Sequence, residues 1–98
     1  MTENILCVSE KELAIIKSIL SKYPYTFYAF GSRVKNTHKK YSDLDLCYKE
    51  NIPDSDIAYI REAFDESALP YKVDIVSWQR CEPEFQKHIE MDLVEVTA

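Results

Sequence analysis

The chain contains a single glycine, Gly31, which opens Gly31-Ser32-Arg33 twelve residues ahead of the paired carboxylates in Ser42-Asp43-Leu44-Asp45-Leu46. Average usage would put roughly seven glycines in a chain of this length, so the other loops turn without one and this position does not. A residue lacking Cβ lets the backbone turn sharply and approach a ligand closely. Thr26-Phe27-Tyr28-Ala29-Phe30 upstream is β-prone, and the residues after Gly31 can wind into a short helix. Gly31 and Ser32 then present backbone N–H groups at a helix N-terminus, a turn suited to phosphate.

Side chains alternate between faces along a strand, so Asp43 and Asp45 point one way while Leu44 and Leu46 point into the core. Like charges held side by side repel unless cations lie between them, and hard oxygen donors suit Mg²⁺ or Mn²⁺. A third carboxylate, Asp74, is the one acid within the β-branched segment Tyr71-Lys72-Val73-Asp74-Ile75-Val76, with Val73 and Ile75 on the opposite face. Two-metal phosphoryl-transfer sites use such an acid to complete the metal that activates the attacking hydroxyl. A phosphate cradle facing carboxylates outlines an enzyme of nucleoside triphosphates. An EF-hand reading fails, because Cys47 stands where an oxygen ligand belongs and the loop glycine is absent.

Gly31-Ser32-Arg33, Ser42 ten residues beyond Ser32, Asp43-Leu44-Asp45-Leu46 and later Val73-Asp74-Ile75-Val76 agree in type, order and spacing. Together they resemble the DNA polymerase β-like nucleotidyltransferase superfamily and, within it, a minimal nucleotidyltransferase, the MNT partner of a HEPN protein. The likeness spans nearly the whole chain. It implies that Asp43, Asp45 and Asp74 are catalytic and hold two Mg²⁺ ions, with Mn²⁺ as a substitute. Gly31, Ser32, Arg33 and Ser42 form the nucleotide-binding set, and ATP is the substrate. It further implies that the acceptor is a tyrosine of a cognate HEPN toxin, an RNase silenced by adenylylation, so the chain would be an antitoxin that is also an enzyme. One departure stands out: Asn36 occupies the place where the family often has a second glycine. Asn tolerates left-handed backbone better than most residues, so the turn can survive.

The same residues carry plainer readings. Asp43 and Asp45 could form the solvent face of a half-exposed strand, Ser42 could cap the loop, and Arg33 fits either a phosphate contact or a surface salt bridge. Trp78, after the third strand, could border a base pocket, whereas His38 and His88 read as exposed or packing residues.

At 98 residues and 46% hydrophobic, the chain is expected to form one domain over residues 1–98, with one core and no room for an acceptor-binding domain. Net charge is −5, yet Arg33, Lys35, Lys39 and Lys40 put four positive charges in the motif loop and leave about −9 on the rest. A broad basic groove for nucleic acid is therefore not expected. The local cluster suits triphosphate, a partner surface or, for Lys39 and Lys40, simple solvation. Cys7, Cys47 and Cys81 have neither a C-x-x-C pair nor histidines at zinc-ligand spacing. With no basic-then-apolar N-terminal region and no apolar run of the ~18 residues a membrane span needs, the expected setting is cytoplasmic.

Ser9-Glu10-Lys11-Glu12 reads as a capping box opening a helix with Leu13, Ile16, Leu20 and Tyr23 inward until Pro24. Pro53-Asp54 opens a second long helix with Ile57, Ile60 and Phe64 as its buried stripe, and Glu82-Pro83 a last one with Phe85 and Ile89 inward. Leu93-Val94-Glu95-Val96 can add a terminal strand. The expected fold is α/β (α+β), a mixed sheet of three to four strands backed by helices. Two other functions fit the same residues: a non-catalytic binding module that neutralises its partner by contact, and a nucleotidyltransferase acting on a small hydroxylated molecule.

Overall fold

A computed structural model describes residues 6–96; the first residues of the stretch read for a targeting signal lie outside them. Helix α1, Glu10–Leu20, starts at the capping box: Ser9 Oγ accepts from the Glu12 amide and Glu12 Oε1 accepts from the Ser9 amide, each at 3.1 Å. It ends at Leu20, short of the expected Pro24. Ser21 Oγ donates to the Ser18 carbonyl, and Tyr23 N–H bonds to Leu20 three residues back. The residue before a proline is disfavoured in the α region, so the chain tightens and leaves the helix there. Tyr23 still packs on the core.

Strands β1 (Phe27–Phe30), β2 (Leu44–Tyr48), β3 (Val73–Ser77) and β4 (Val94–Val96) form one mixed sheet in the order β3-β2-β1-β4. β1 runs antiparallel to both β2 and β4, whereas β2 and β3 are parallel. A parallel pair needs a crossover, supplied by helix α3, Asp54–Asp65, whose Ile57, Ile60 and Phe64 are buried as the periodicity predicts. The short helix α2, Ser32–Lys35, follows β1 directly. Pro83 opens helix α4, Pro83–Ile89, which is followed by a 3-10 turn over Glu90–Asp92. No helix among the described residues is long and apolar enough to cross a membrane.

Both faces of the sheet are covered. Phe27, Ala29, Leu44, Leu46 and Ile75 meet Ile16 and Leu20 of α1 and the α3 stripe in the main core. Each fully buried large apolar side chain there contributes about 1.5–3 kcal/mol. The other face carries a smaller cluster of Phe30, Cys47 and Ile89 with Tyr28, Val76, Trp78 and Leu93. Cys47 shares a face with Asp45 and is fully buried, so only one end of the carboxylate face is open. Burial pushes the Cys47 thiol up to about 11, leaving an inert core thiol. No disulfide joins Cys7, Cys47 or Cys81.

Candidate active site

Gly31 caps α2 with φ +85° and ψ −155°, a conformation essentially confined to glycine. The adjacent strands give it a second reason to lack Cβ. Phe30 pairs with Asp45 across β1 and β2, which brings the Asp45 carboxylate under the turn. A Cβ on Gly31 would lie 2.6 Å from Asp45 Oδ2. The glycine therefore admits a carboxylate as well as exposing backbone to a ligand. Asn36 closes α2 in the left-handed region, φ 58° and ψ 32°, so the turn survives without the second glycine as its chemistry predicts.

Asp45 and Asp74 are partners in the parallel register of β2 and β3, on strands about 4.8 Å apart. Asp43 stands immediately before β2 and is exposed, as is Asp74. Burial first, then the charges of Asp74 and Asp43, push the Asp45 carboxyl up to about 6. None of the three carboxylates hydrogen-bonds or ion-pairs with another described residue. A half-buried acid facing two others in this way suits a cation in both charge and donor type. No three His, Cys, Asp or Glu side chains among the described residues converge tightly enough to enclose an ion unaided. One or two carboxylates together with substrate phosphates is a common way to hold Mg²⁺ without an all-protein cage.

Arg33 requires a correction. Neither a phosphate contact nor a surface salt bridge, its side chain is 3% exposed beneath the motif loop. Nε donates to the Ser42 carbonyl at 2.9 Å, Nη1 to Cys7 at 3.1 Å, and Nη2 to Lys40 at 3.0 Å and Lys39 at 3.4 Å. The guanidinium also lies 3.7 Å from the Tyr71 ring centroid. Its fork geometry is what lets one side chain gather four carbonyls. Ser42 belongs to the same scaffold, since its Oγ accepts from the Lys39 amide at 2.8 Å. Arg33 and Ser42 thus shape the loop leading into Asp43, and of the other candidates Gly31, Asp45 and Asp74 line one open cleft while Ser32 and Asp43 stand beside it in the chain without lining it.

A cleft of about 350 Å³ opens there, within the range of small-molecule sites. Gly31, Lys35, Asp45, Asp74 and Asp92 supply its polar lining, and Phe30, Val76, Phe85 and Ile89 its apolar lining, with His88 on the α4 side. Lys35 Nζ is 3.2 Å from Asp92 Oδ2, tying α2 to the turn after α4. The sequence reading missed the α4 wall: periodicity places Phe85 inward with Ile89, yet Phe85 is 41% exposed while Ile89 is buried. Nothing local marks Asp92. Trp78 does not line this cleft; its ring lies 4.9 Å from Lys49 Nζ. A second cleft, about 450 Å³ between α3 and β3, carries Arg61 and Arg80 and none of Asp43, Asp45 and Asp74.

Residues 14–96 match the family described as polymerase β, nucleotidyltransferase. The chain is also 44% identical over 88 residues to a Haemophilus influenzae protein named probable protein adenylyltransferase MntA, covering 86% of this chain and 77% of that protein.

Proposed function

Because the chain belongs to the polymerase β nucleotidyltransferase family, and so is a nucleotidyltransferase, we propose that it moves AMP from ATP onto a hydroxyl of a partner protein, with Mg²⁺ or Mn²⁺ as cofactor. The observation that carries this reading is the placement of Asp45 and Asp74 side by side directly beneath the Gly31 turn. A protein acceptor is supported by the name of the relative, a protein adenylyltransferase at 44% identity. It is supported too by the acidic net charge of −5, the opposite of the basic balance that nucleic-acid acceptors call for. By the resemblance of the motif, the acceptor is a tyrosine of a cognate HEPN toxin in the cytoplasm, and the chain acts as its antitoxin.

In this reading Asp45 and Asp74, with Asp43 at the start of β2, would hold the metal together with substrate phosphates; when bound it supplies charge that offsets the phosphates and acidifies the attacking hydroxyl. The backbone at Gly31 and Ser32 receives the triphosphate, with the Lys35 ammonium at the same end of the cleft. The acceptor oxygen attacks the α-phosphorus in line, forming the new P–O bond as the bond to pyrophosphate breaks; the acceptor proton leaves to solvent. Orientation of that oxygen comes from the partner, since the open cleft offers the acceptor little enclosure of its own.

Asn36 in place of the family's second glycine does not by itself favour a contact-only module, because it adopts the left-handed backbone a glycine would. Intact-mass measurement tests the proposal. With ATP and Mg²⁺, the partner should gain one or more nucleoside monophosphates on tyrosine, and Asp74→Ala should abolish the gain while the complex persists. An unmodified partner that is fully inhibited, and equally inhibited by Asp74→Ala, would replace the enzyme by a contact-only antitoxin. Modification of a small hydroxylated molecule in place of the partner would redirect the acceptor.

A further inference from the structure

We propose that Phe85 is the platform against which the nucleobase of the substrate stacks, and that it favours purine over pyrimidine nucleotides. The inference rests on the nucleotidyltransferase reading of the cleft and assigns its second half. The cleft combines polar groups, among them Lys35, Asp45, Asp74 and Asp92, with an apolar lining in which Phe85 is the exposed aromatic and Phe30 lies behind it. Phe30 immediately precedes Gly31 in the chain. A ligand whose anionic end meets the Gly31 turn therefore has an apolar surface one residue away. A nucleoside triphosphate, charged at one end and flat and aromatic at the other, matches a lining of this mixed kind.

Phe85 is placed to use it. Its ring meets Phe30 edge to face, centroids 5.8 Å apart and planes at 81°, a favourable aromatic geometry. Despite that contact it remains 41% exposed, in a helix whose periodicity would bury it. Helix α4 is anchored just beyond it: Gln86 Nε2 donates to the Trp78 carbonyl at 2.7 Å, and Ile89 is buried in the small cluster. The ring is thus held in the cleft wall by its own helix while leaving surface open to the cavity. A phenyl ring offers no hydrogen bond, so it reads the area of a base rather than its edge, and a purine covers more of it than a pyrimidine.

Equilibrium binding to the full chain tests this, with ATP, CTP and inorganic tripolyphosphate as probes, all with Mg²⁺. Phe85→Leu keeps apolar volume against Phe30 and removes the aromatic face, while Phe85→Tyr restores it. Base stacking is lost on the order of tenfold in affinity. Phe85→Leu and Phe85→Ala should therefore weaken ATP binding about tenfold, leave tripolyphosphate unchanged and erase the preference for ATP over CTP; Phe85→Tyr should bind ATP as the parent does. Unchanged ATP affinity in folded Phe85→Leu would overturn the proposal, including the case in which only transfer to the acceptor falls, which would make Phe85 an acceptor contact. A parallel loss of ATP and tripolyphosphate would overturn it in favour of a structural role. A parent chain that binds neither ATP nor tripolyphosphate would refute the nucleotide reading itself and this inference with it.

Discussion

Gly31→Ala should be among the most damaging single-methyl additions this chain can receive, and its cost separates into two measurable parts. At φ +85° and ψ −155° an alanine occupies backbone that is essentially reserved for glycine, at about 1–3 kcal/mol. The new Cβ would also stand 2.6 Å from Asp45 Oδ2, the far end of a side chain that can turn aside, so this collision adds about 1 kcal/mol, the low end of overpacking costs. Together they remove about 2–4 kcal/mol from a domain whose whole stability is on the order of 5–15 kcal/mol. At 4–8 °C per kcal/mol for a domain of this size, the melting temperature should fall by roughly 10–30 °C. A double-mutant cycle with Asp45→Ala divides the total. Removing the carboxylate relieves the collision and leaves the backbone strain, so Gly31→Ala should cost about 1 kcal/mol less in the Asp45→Ala background. Urea unfolding of the four proteins reads both quantities. An equal cost in the two backgrounds would refute the contact between turn and carboxylate, and a cost below about 0.5 kcal/mol would refute the left-handed turn.

Three further outcomes follow from the same geometry. Asp45 titrates near 6 when folded against 3.8 ordinarily, so its protonated form favours the fold: that stability is complete below about pH 4 and is lost as pH rises through about 6. At face value this is about 3 kcal/mol; solvent screening of a half-buried group reduces it to about 1–2 kcal/mol, and urea midpoints from pH 4 to 7 should show the decline in the parent and not in Asp45→Asn. Arg33→Lys should lose about 2–4 kcal/mol, because one ammonium cannot serve the carbonyls of Cys7, Lys39, Lys40 and Ser42. Limited proteolysis should then cut residues 37–43 faster, and an undiminished melting temperature would contradict the anchoring role. Asp43→Asn should lower Mg²⁺-dependent nucleotide affinity with little change in melting temperature, since Asp43 is exposed and unpartnered among the described residues; retained transfer with unchanged metal binding would remove it from the site.

What was legible in the sequence was what neighbouring residues decide among themselves. Ser9 and Glu12 satisfy each other's amides within one turn, and Ile57, Ile60 and Phe64 need only a helix of ordinary pitch to share a face. Asn36 reaches left-handed backbone by its own side-chain chemistry. The carboxylate strands were readable because alternation alone puts Asp45 opposite Leu44 and Leu46. Strand direction was not readable, since it depends on which edges meet after collapse. Arg33 escaped for a similar reason: its partners include the carbonyl of Cys7, 26 residues away, and Tyr71, far along the chain. An arginine beside a phosphate turn looks like a ligand contact until the chain that buries it is in place. Phe85 shows the converse. Helical spacing correctly paired it with Ile89, but a seven-residue helix over a narrow cluster buries one of the two and leaves the other at the cavity.

The two arrangements at the motif loop explain each other. Asp45 is costly where it stands, half-buried against the like charges of Asp74 and Asp43, and a loop free to relax would swing Asp43 and the Gly31 turn away from it. Arg33 removes that freedom from beneath, gripping the chain at Cys7, Lys39, Lys40 and Ser42, while the register of β1, β2 and β3 fixes Asp45 from the side. The guanidinium charge of Arg33 is thus spent on backbone carbonyls rather than on neutralising the acids. Had Arg33 paired with Asp45, the site would be more stable and its carboxylates already satisfied. Burying the guanidinium under the loop keeps the geometry rigid and the negative charge available, the combination a cation carrying a nucleotide requires.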